Sequence, residues 1–242
     1  MREPVRKVSI VIPVYNERGT LEEIVERVLA APLSTNPESG KPLEREVILV
    51  DDGSRDGSDE LALELDGKHA EVVGIVNPEN RGKGYALRTG FERASGEVII
   101  IQDADMEYDP GDYPALLEPI IEDKTDVVYG SRILGSGRRG GMAYYLGGRM
   151  LSVLTNLLYG SSITDEPTCY KVFRRSVLDG MELRCTGFEF CPEFTAKALK
   201  AGHKIYEVPI KYYPRSAAEG KKIRFRDGLE AIWTLLKYRV MR

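Results

Sequence analysis

The 242 residues specify an α/β chain with a mostly parallel sheet and helices on both faces. Two features carry this reading. Short continuous apolar runs alternate with longer stretches in which apolar residues recur every three to four positions. Polar, mostly acidic clusters follow directly after the apolar runs, where open α/β sheets hold their ligands. The composition, 42% apolar and 30% charged, is that of a soluble globular protein. The length suits one domain over residues 1–242.

Val8–Ile12 is the kind of run found in a strand buried on both faces. In Thr20–Ala30, Leu21, Ile24, Val25, Val28 and Leu29 share one helical stripe, and Thr20 with Glu23 forms a capping box. Pro32–Glu44 is a polar surface loop and Glu46–Val50 the second strand. Next come a helix at Gly57–Leu65, a strand at Val72–Val76, a helix at Gly84–Ala94 and a strand at Val98–Ile101. A helix at Tyr113–Glu122 and a strand at Asp126–Tyr129 continue the alternation. The rhythm loosens in the glycine- and arginine-rich stretch Gly130–Gly141. A helix at Met142–Tyr159, a strand at Cys169–Phe173, a helix at Glu189–Ala201 and a strand at Ile205–Ile210 follow. A basic loop, Arg215–Arg224, leads to the closing helix Phe225–Val240, and no linker divides the chain.

Several functions are excluded or disfavoured. Lys plus Arg number 34 against 38 Asp plus Glu, a net charge of −4, so no nucleic-acid partner is expected. Three cysteines without CxxC spacing argue against a disulfide scaffold and a structural zinc site. Val8–Val14, broken by Pro13, is too short for a signal peptide. No stretch reaches the ~18–20 apolar residues that span a bilayer. A cytoplasmic location is expected, with contact at a membrane surface left open.

The strand ends hold the chemistry. Pro13-Val14-Tyr15-Asn16-Glu17, Asp51-Asp52-Gly53-Ser54, Asp103-Ala104-Asp105 and Gly130-Ser131-Arg132 would share one edge of the sheet. Asp103 and Asp105 project to the same side of a strand end and repel unless a cation intervenes. Oxygen-only ligation favours Mg²⁺ or Mn²⁺, with Glu107 as a third ligand. The other reading of this pair is a solvated acidic turn. Asp51-Asp52 is either a helix-capping turn or an acceptor of hydrogen bonds from a nucleobase or ribose. The glycine-rich segment around Lys83 matches neither the Walker A loop nor the dinucleotide fingerprint, yet it places a helix start beside a candidate phosphate.

Basic residues cluster late, at Arg132, Arg138, Arg139 and Arg149, then Arg215, Lys221, Lys222, Arg224 and Arg226. They form a solvated face or hold a diphosphate or a second anionic substrate. His69 and His203 lack ligand spacing, and Cys169, Cys185 and Cys191 are expected to pack rather than react. In the closing helix, Phe225, Leu229, Ile232, Trp233, Leu236 and Val240 make one apolar stripe flanked by Arg224, Arg226, Lys237, Arg239 and Arg242. Such a stripe packs on the domain or lies at a bilayer interface.

In order, VSIVIPVYNE, VDDGSRDGS, NRGKGYALRTGF, DADMEYDP and DVVYGSRILG resemble the family-2 inverting glycosyltransferases of the GT-A fold, over residues 7–135. ITDEPTCYKVFRRSVL, GFEF and EVPIKYYPRSAAEGKKIRFRDGLEAIWTLLKYR, within residues 163–240, resemble the dolichol-phosphate mannose synthase and polyprenyl-phosphate hexosyltransferase branch. The resemblance implies that Pro13, Tyr15 and Glu17 contact the nucleoside, with Asp52 on the base and Asp51 nearby. Lys83, Asp103, Ala104 and Asp105 would belong to the donor site, and Asp103, Asp105 and Glu107 to the metal. Many members of the branch carry Gln at the position of Glu107. Arg132, Arg149, Arg215 and Lys222 would clamp donor or acceptor phosphates, and Asp165 would act near the acceptor. Asp105, Asp165 and Arg132 are therefore the expected catalytic residues.

The implied reaction moves a hexose from a nucleotide sugar to a polyprenyl phosphate with inversion. GDP-mannose is the first donor candidate, then UDP-glucose and UDP-N-acetylglucosamine. A lipid phosphate is already anionic and needs positioning more than a base. A saccharide hydroxyl needs a base, for which Asp165 and Glu189 are candidates. A non-catalytic nucleotide-sugar-binding module is the remaining alternative. Members of the branch often carry transmembrane helices after the catalytic domain; none follows in this sequence, and the closing helix either takes up a membrane contact or packs on the domain itself.

Overall fold

The computed structural model describes residues 3–36, 39–135, 141–215, 222 and 224–241. Arg138, Arg139, Lys221 and Arg242 of the expected basic clusters lie outside the described residues. The elements in chain order are β1 (Lys7–Val14), α1 (Arg18–Ala30), β2 (Glu44–Asp51), α2 (Ser58–Lys68), β3 (Val72–Val76), α3 (Lys83–Arg93) and β4 (Val98–Ile101). Then come α4 (Tyr113–Ile121), β5 (Val127–Ser131), α5 (Met142–Tyr159), β6 (Lys171–Arg174), α6 (Phe190–Lys200), β7 (Ile205–Pro209) and α7 (Phe225–Val240).

The seven strands form one sheet in the order β3-β2-β1-β4-β6-β5-β7. β1, β2, β3 and β4 run parallel, as do β5 and β7. β6 is antiparallel to both of its neighbours, β4 and β5. The strand expected at Cys169–Phe173 thus forms two residues later, as Lys171–Arg174, and reverses direction. A buried four-residue run carries no signal of direction, so alternation alone predicted none. The sheet remains mostly parallel, and β1, β2, β4 and β5 all end on the same edge.

Residues of β1, β2 and β4 are buried on both faces, which explains their unbroken apolar character. Pro13 sits in β1 opposite Val50, beyond the Val11–Ile101 pair where β4 ends, so its missing N–H leaves no β4 rung open. Phe91, Phe173, Phe190 and Phe194 lock α3 and α6 onto the sheet; Phe173 and Phe194 lie 4.6 Å apart between centroids.

The expected capping box of α1 does not form. The helix starts at Arg18, and the Glu17 carbonyl already accepts the Thr20 and Leu21 N–H groups. The Thr20 hydroxyl instead donates to the Ala104 carbonyl at 2.9 Å, tying α1 to the loop after β4. α2 begins where the Asp56 carboxylate accepts from the Ser58 N–H at 3.0 Å, and it runs on to Lys68.

α5 and α7 pack on each other through Leu151, Ala231 and Leu235, a small cluster apart from the main core. The Tyr159 hydroxyl donates to the Leu235 carbonyl at 2.6 Å across this contact. α7 turns Ala231, Thr234, Leu235 and Tyr238 inward. Most of its predicted stripe faces out, with Phe225 85% exposed, Trp233 67% and Val240 86%, while Ile232 packs against the α5–α7 cluster. α5 likewise presents Met142, Leu146, Met150, Val153 and Leu157 to the outside. Among the described residues no helix is long and apolar enough to cross a membrane.

Candidate functional site

The loops after β1 and β2 are laced together. Asn16, at a φ of +49°, donates its N–H to the Ser54 hydroxyl at 2.8 Å and accepts the Arg55 N–H at 2.9 Å. Asp51 is fully buried; one oxygen accepts the Ser54 N–H at 2.9 Å and the other, Oδ2, has no protein partner. Burial pushes its carboxyl above the ordinary range, and the Ser54 donors only partly offset this. Asp52 accepts from Asn77 Nδ2 at 3.1 Å and from the Arg81 and Gly82 N–H groups at 3.0 and 2.6 Å. Asp52 thereby fixes the turn into α3. Gly82 is required there: its φ is +100°, and a Cβ would lie 2.5 Å from the Thr186 carbonyl oxygen.

That turn presents Lys83, whose ammonium pairs with Asp103 and lies 3.8 Å from Cys169 Sγ. Burial alone would raise the Asp103 carboxyl; the Lys83 charge outweighs it and holds Asp103 below its ordinary value. Asp105 faces the opposite balance. Burial, then the charge of Asp103, push it up to about 7 against the pull of Arg215. Its Oδ1 accepts the Glu107 N–H at 2.9 Å, and Ala104 between the two aspartates is buried.

Arg215 joins the acidic loop to the first strand end. Its guanidinium pairs with Asp105 and reaches Glu17 at 3.1 and 3.2 Å. Its N–H donates to Glu107 Oε1 at 2.6 Å, while the Tyr212 hydroxyl donates to Glu107 Oε2 at 3.2 Å. Lys222 adds a second cation, 2.7 Å from Glu17 Oε1 and donating to the Tyr15 carbonyl. Arg215 and Lys222, expected to clamp phosphates, here lie against the carboxylates of Glu17 and Asp105.

A second group forms beyond β5. Asp165 is buried and accepts from Arg132 Nε and Nη2, both at 2.8 Å, and from the Arg132 N–H at 2.9 Å. Burial would raise Asp165, but the guanidinium holds it below the ordinary carboxylate range. The Arg132 guanidinium also stacks over Tyr212, 5.1 Å from the ring centroid, so the ring stands between Arg132 and Glu107. Arg149 donates to the Thr164 carbonyl at 2.8 Å, one residue from Asp165. Glu189 accepts the Thr186 and Gly187 N–H groups at 3.1 and 3.0 Å, holding its own loop.

Among the described residues no three His, Cys, Asp or Glu side chains converge to hold a metal ion. Asp103, Asp105 and Glu107 are neighbours, but Asp103 faces Lys83, whereas Asp105 and Glu107 share Arg215 and Glu107 also meets Tyr212. The donor set nonetheless fits a hard cation. It is all oxygen, and Arg215 already stands as a cation between Asp105 and Glu17. Mg²⁺ and Mn²⁺ are commonly bound by substrate phosphates together with one or two carboxylates, and this edge can supply the carboxylates.

Strand-end reasoning missed Asn77, Tyr212, Thr164 and Glu207. Asn77 follows β3 directly and was available to the same rule. Tyr212 and Glu207 carry no such signal, one lying past the last strand and the other inside it.

An acidic carboxyl edge on a mostly parallel sheet, crossed by basic residues from the chain's last third, defines a Rossmann-like α/β protein. The chain belongs to glycosyl transferase family 2, whose pattern matches residues 9–181. It is 32% identical over 223 residues to the low-salt glycan biosynthesis hexosyltransferase Agl6 of Haloferax volcanii, covering 91% of this chain and 51% of that protein. It is 32% identical over 242 residues to the dolichol-phosphate mannosyltransferase of Pyrococcus furiosus, covering 96% of this chain and 64% of that protein. The chain thus spans between half and two thirds of the length of these curated relatives. Among solved structures, glucosyl-3-phosphoglycerate synthase of Mycobacterium tuberculosis with Mn²⁺, UDP and glucosyl-3-phosphoglycerate superposes with a TM-score of 0.70. The identity is 20%, and the match covers 98% of this chain and 81% of that one. The fold is therefore that of the GT-A glycosyltransferases.

Proposed function

We propose that this chain transfers a hexose from a nucleotide sugar to a polyprenyl phosphate, inverting the anomeric centre. One observation carries the choice of acceptor. Beyond β5 the site offers two arginines, Arg132 and Arg149, and Asp165, the carboxylate beside them considered as a base, is paired with Arg132 through both oxygens. Glu189 Oε1 accepts the N–H groups of its own loop. A phosphate monoester is anionic at neutral pH and attacks without losing a proton to the protein, so positioning cations suffice. A sugar hydroxyl would need a base.

The donor half follows from the acidic edge. Asp51, Asp52 and Tyr15 would face the nucleoside, and Lys83, Asp103 and Asp105 the sugar diphosphate. Asp105 and Glu107 would hold Mg²⁺ or Mn²⁺, with Asp103 beside them. Such an ion, when bound, neutralises charge on the departing nucleoside diphosphate. Arg215 and Lys222 add positive charge at the same place.

GDP-mannose is the proposed donor, supported by the similarity to the Pyrococcus furiosus mannosyltransferase over nearly the whole chain. Thermal-shift screening of GDP-mannose, UDP-glucose and UDP-N-acetylglucosamine with each metal tests it. A metal-dependent stabilisation by GDP-mannose alone is expected; stabilisation by UDP-sugars alone would reassign the donor.

The outward apolar rows of α5 and α7 are proposed to rest on the bilayer that carries the acceptor. Phe225 and Trp233 on α7, with Arg224, Arg226, Lys237 and Arg239 along it, suit an anionic membrane surface. The protein would then act at the membrane from the aqueous side.

A further inference from the structure

Both proposed acceptor arginines hang from one dipeptide. The Thr164 carbonyl accepts from Arg149 at 2.8 Å, and the next residue supplies the Asp165 carboxylate that holds Arg132. This dipeptide lies outside any helix or strand. Something else must fix it.

Glu207 does so from β7. Its Oε2 accepts the Thr164 N–H at 2.7 Å, and its Oε1 accepts the Asp165 N–H at 3.0 Å and the Thr164 hydroxyl at 3.1 Å. Glu207 pairs with Tyr129 in the β5–β7 ladder, two residues before Ser131, so the sheet fixes its backbone. The Ser131 hydroxyl bonds to the Thr164 hydroxyl at 2.7 Å and accepts the Ile133 and Leu134 N–H groups at 3.2 Å. The turn that carries Arg132 and the dipeptide that orients it are thereby joined.

We propose that Glu207 is a positioning residue for acceptor binding: by gripping Thr164 and Asp165 from β7 it sets the carboxylate that orients Arg132 and the carbonyl that orients Arg149. Glu207 does not touch the arginines. A carboxylate accepting two backbone N–H groups and a hydroxyl makes charge-assisted bonds that a neutral amide cannot all replace. In Glu207→Gln the amide NH₂ would meet either the Thr164 or the Asp165 N–H, donor against donor. The dipeptide would shift, and both arginines with it. The inference rests on Arg132 and Arg149 serving the acceptor, as proposed above.

Two measurements on the full chain test it. In steady-state transfer, Glu207→Gln is expected to raise the KM for polyprenyl phosphate about tenfold, the cost of losing one charge-assisted hydrogen bond, and to leave the KM for the sugar donor unchanged. NMR exchange of the Arg132 Nε proton reads the orientation without any substrate. It should be slow in the wild type and about tenfold faster in Glu207→Gln. Thr164→Val strips one of the three bonds and should move both readouts the same way by less; it serves if Glu207→Gln does not fold. Unchanged Nε exchange in a folded Glu207→Gln, or equal rises in both KM values, overturns the inference. If exchange quickens as expected while Arg132→Ala and Arg149→Ala leave the acceptor KM unchanged, Glu207 still positions Arg132, but the acceptor reading fails.

Discussion

Arg132 and Asp165 meet in a bidentate pair, Nε and Nη2 each 2.8 Å from the carboxylate, with the Arg132 N–H closing a third bond at 2.9 Å. The Asp165 side chain is nearly inaccessible, and the Arg132 side chain keeps a quarter of its surface open. Under the proposed function, Asp165 orients Arg132 instead of acting as a base. Asp165→Asn should reduce transfer about tenfold without abolishing it, since the amide keeps the shape but weakens the bonds. Arg132→Ala leaves a buried carboxylate unpaired and should cost about 3–5 kcal/mol of stability, measured by urea unfolding. Abolition of transfer by Asp165→Asn in a folded protein would return Asp165 to the role of base.

Asp51 gives the fold a pH dependence. Its buried carboxyl, with Oδ2 unpartnered, titrates above the value of about 3.9 expected for the unfolded chain. Between those two values the folded state binds more protons than the unfolded one, so this residue lowers stability as pH rises through the window. Asp51→Asn removes the contribution. Thermal melts from pH 4 upward should show the variant gaining Tm on the wild type as pH rises, then levelling off. A difference that does not vary with pH contradicts the assignment.

In the proposed site Arg215 would compete with a divalent ion for Asp105. Arg215→Ala should therefore bind Mn²⁺ several-fold more tightly than the wild type without nucleotide, because it removes a cation already neutralising the site. Transfer should fall all the same, since the same guanidinium is placed to meet the diphosphate. Electron paramagnetic resonance of free Mn²⁺ checks the first claim, and weaker binding would refute it.

Phe225 and Trp233 are largely exposed and belong to neither buried cluster of the described residues. Replacing both with Glu should leave Tm unchanged and reduce sedimentation with anionic vesicles at least tenfold, since each large apolar side chain buried in the bilayer contributes about 1.5–3 kcal/mol. Undiminished vesicle binding would remove these helices from the membrane contact.

Much of this was legible in the chain because strands buried on both faces read as pure apolar runs. β1, β2 and β4 announced themselves, and the acidic residues after them fell where an α/β sheet places its ligands. α5 and α7 appear with the bounds that periodicity suggested. Other features depend on neighbours that a linear pattern does not display. The direction of β6 is set by pairing with β4 and β5. Thr20 abandons its capping role because Ala104, far along the chain, offers a carbonyl. α7 packs through Ala231, Thr234, Leu235 and Tyr238 because α5 and α6 lie on that side, so most of its predicted stripe is left outside.

The candidate site was half readable by the same logic. Asp103, Asp105 and Arg132 could be named from position, Arg149 from a basic cluster and Asp165 from the family resemblance, but their partners could not. That Asp103 belongs with Lys83 and Asp105 with Arg215 is a matter of three-dimensional charge balance. Glu207 was invisible because its side chain works from the middle of a strand toward a loop 42 residues away in sequence.

The most direct measurement compares polyprenyl phosphate with the matching free polyprenol as acceptors for labelled sugar from the nucleotide-sugar donor, at neutral pH and with Mg²⁺ or Mn²⁺ supplied. Arginines without a free base predict product from the phosphate and none from the alcohol. Equal turnover of the alcohol would contradict the account.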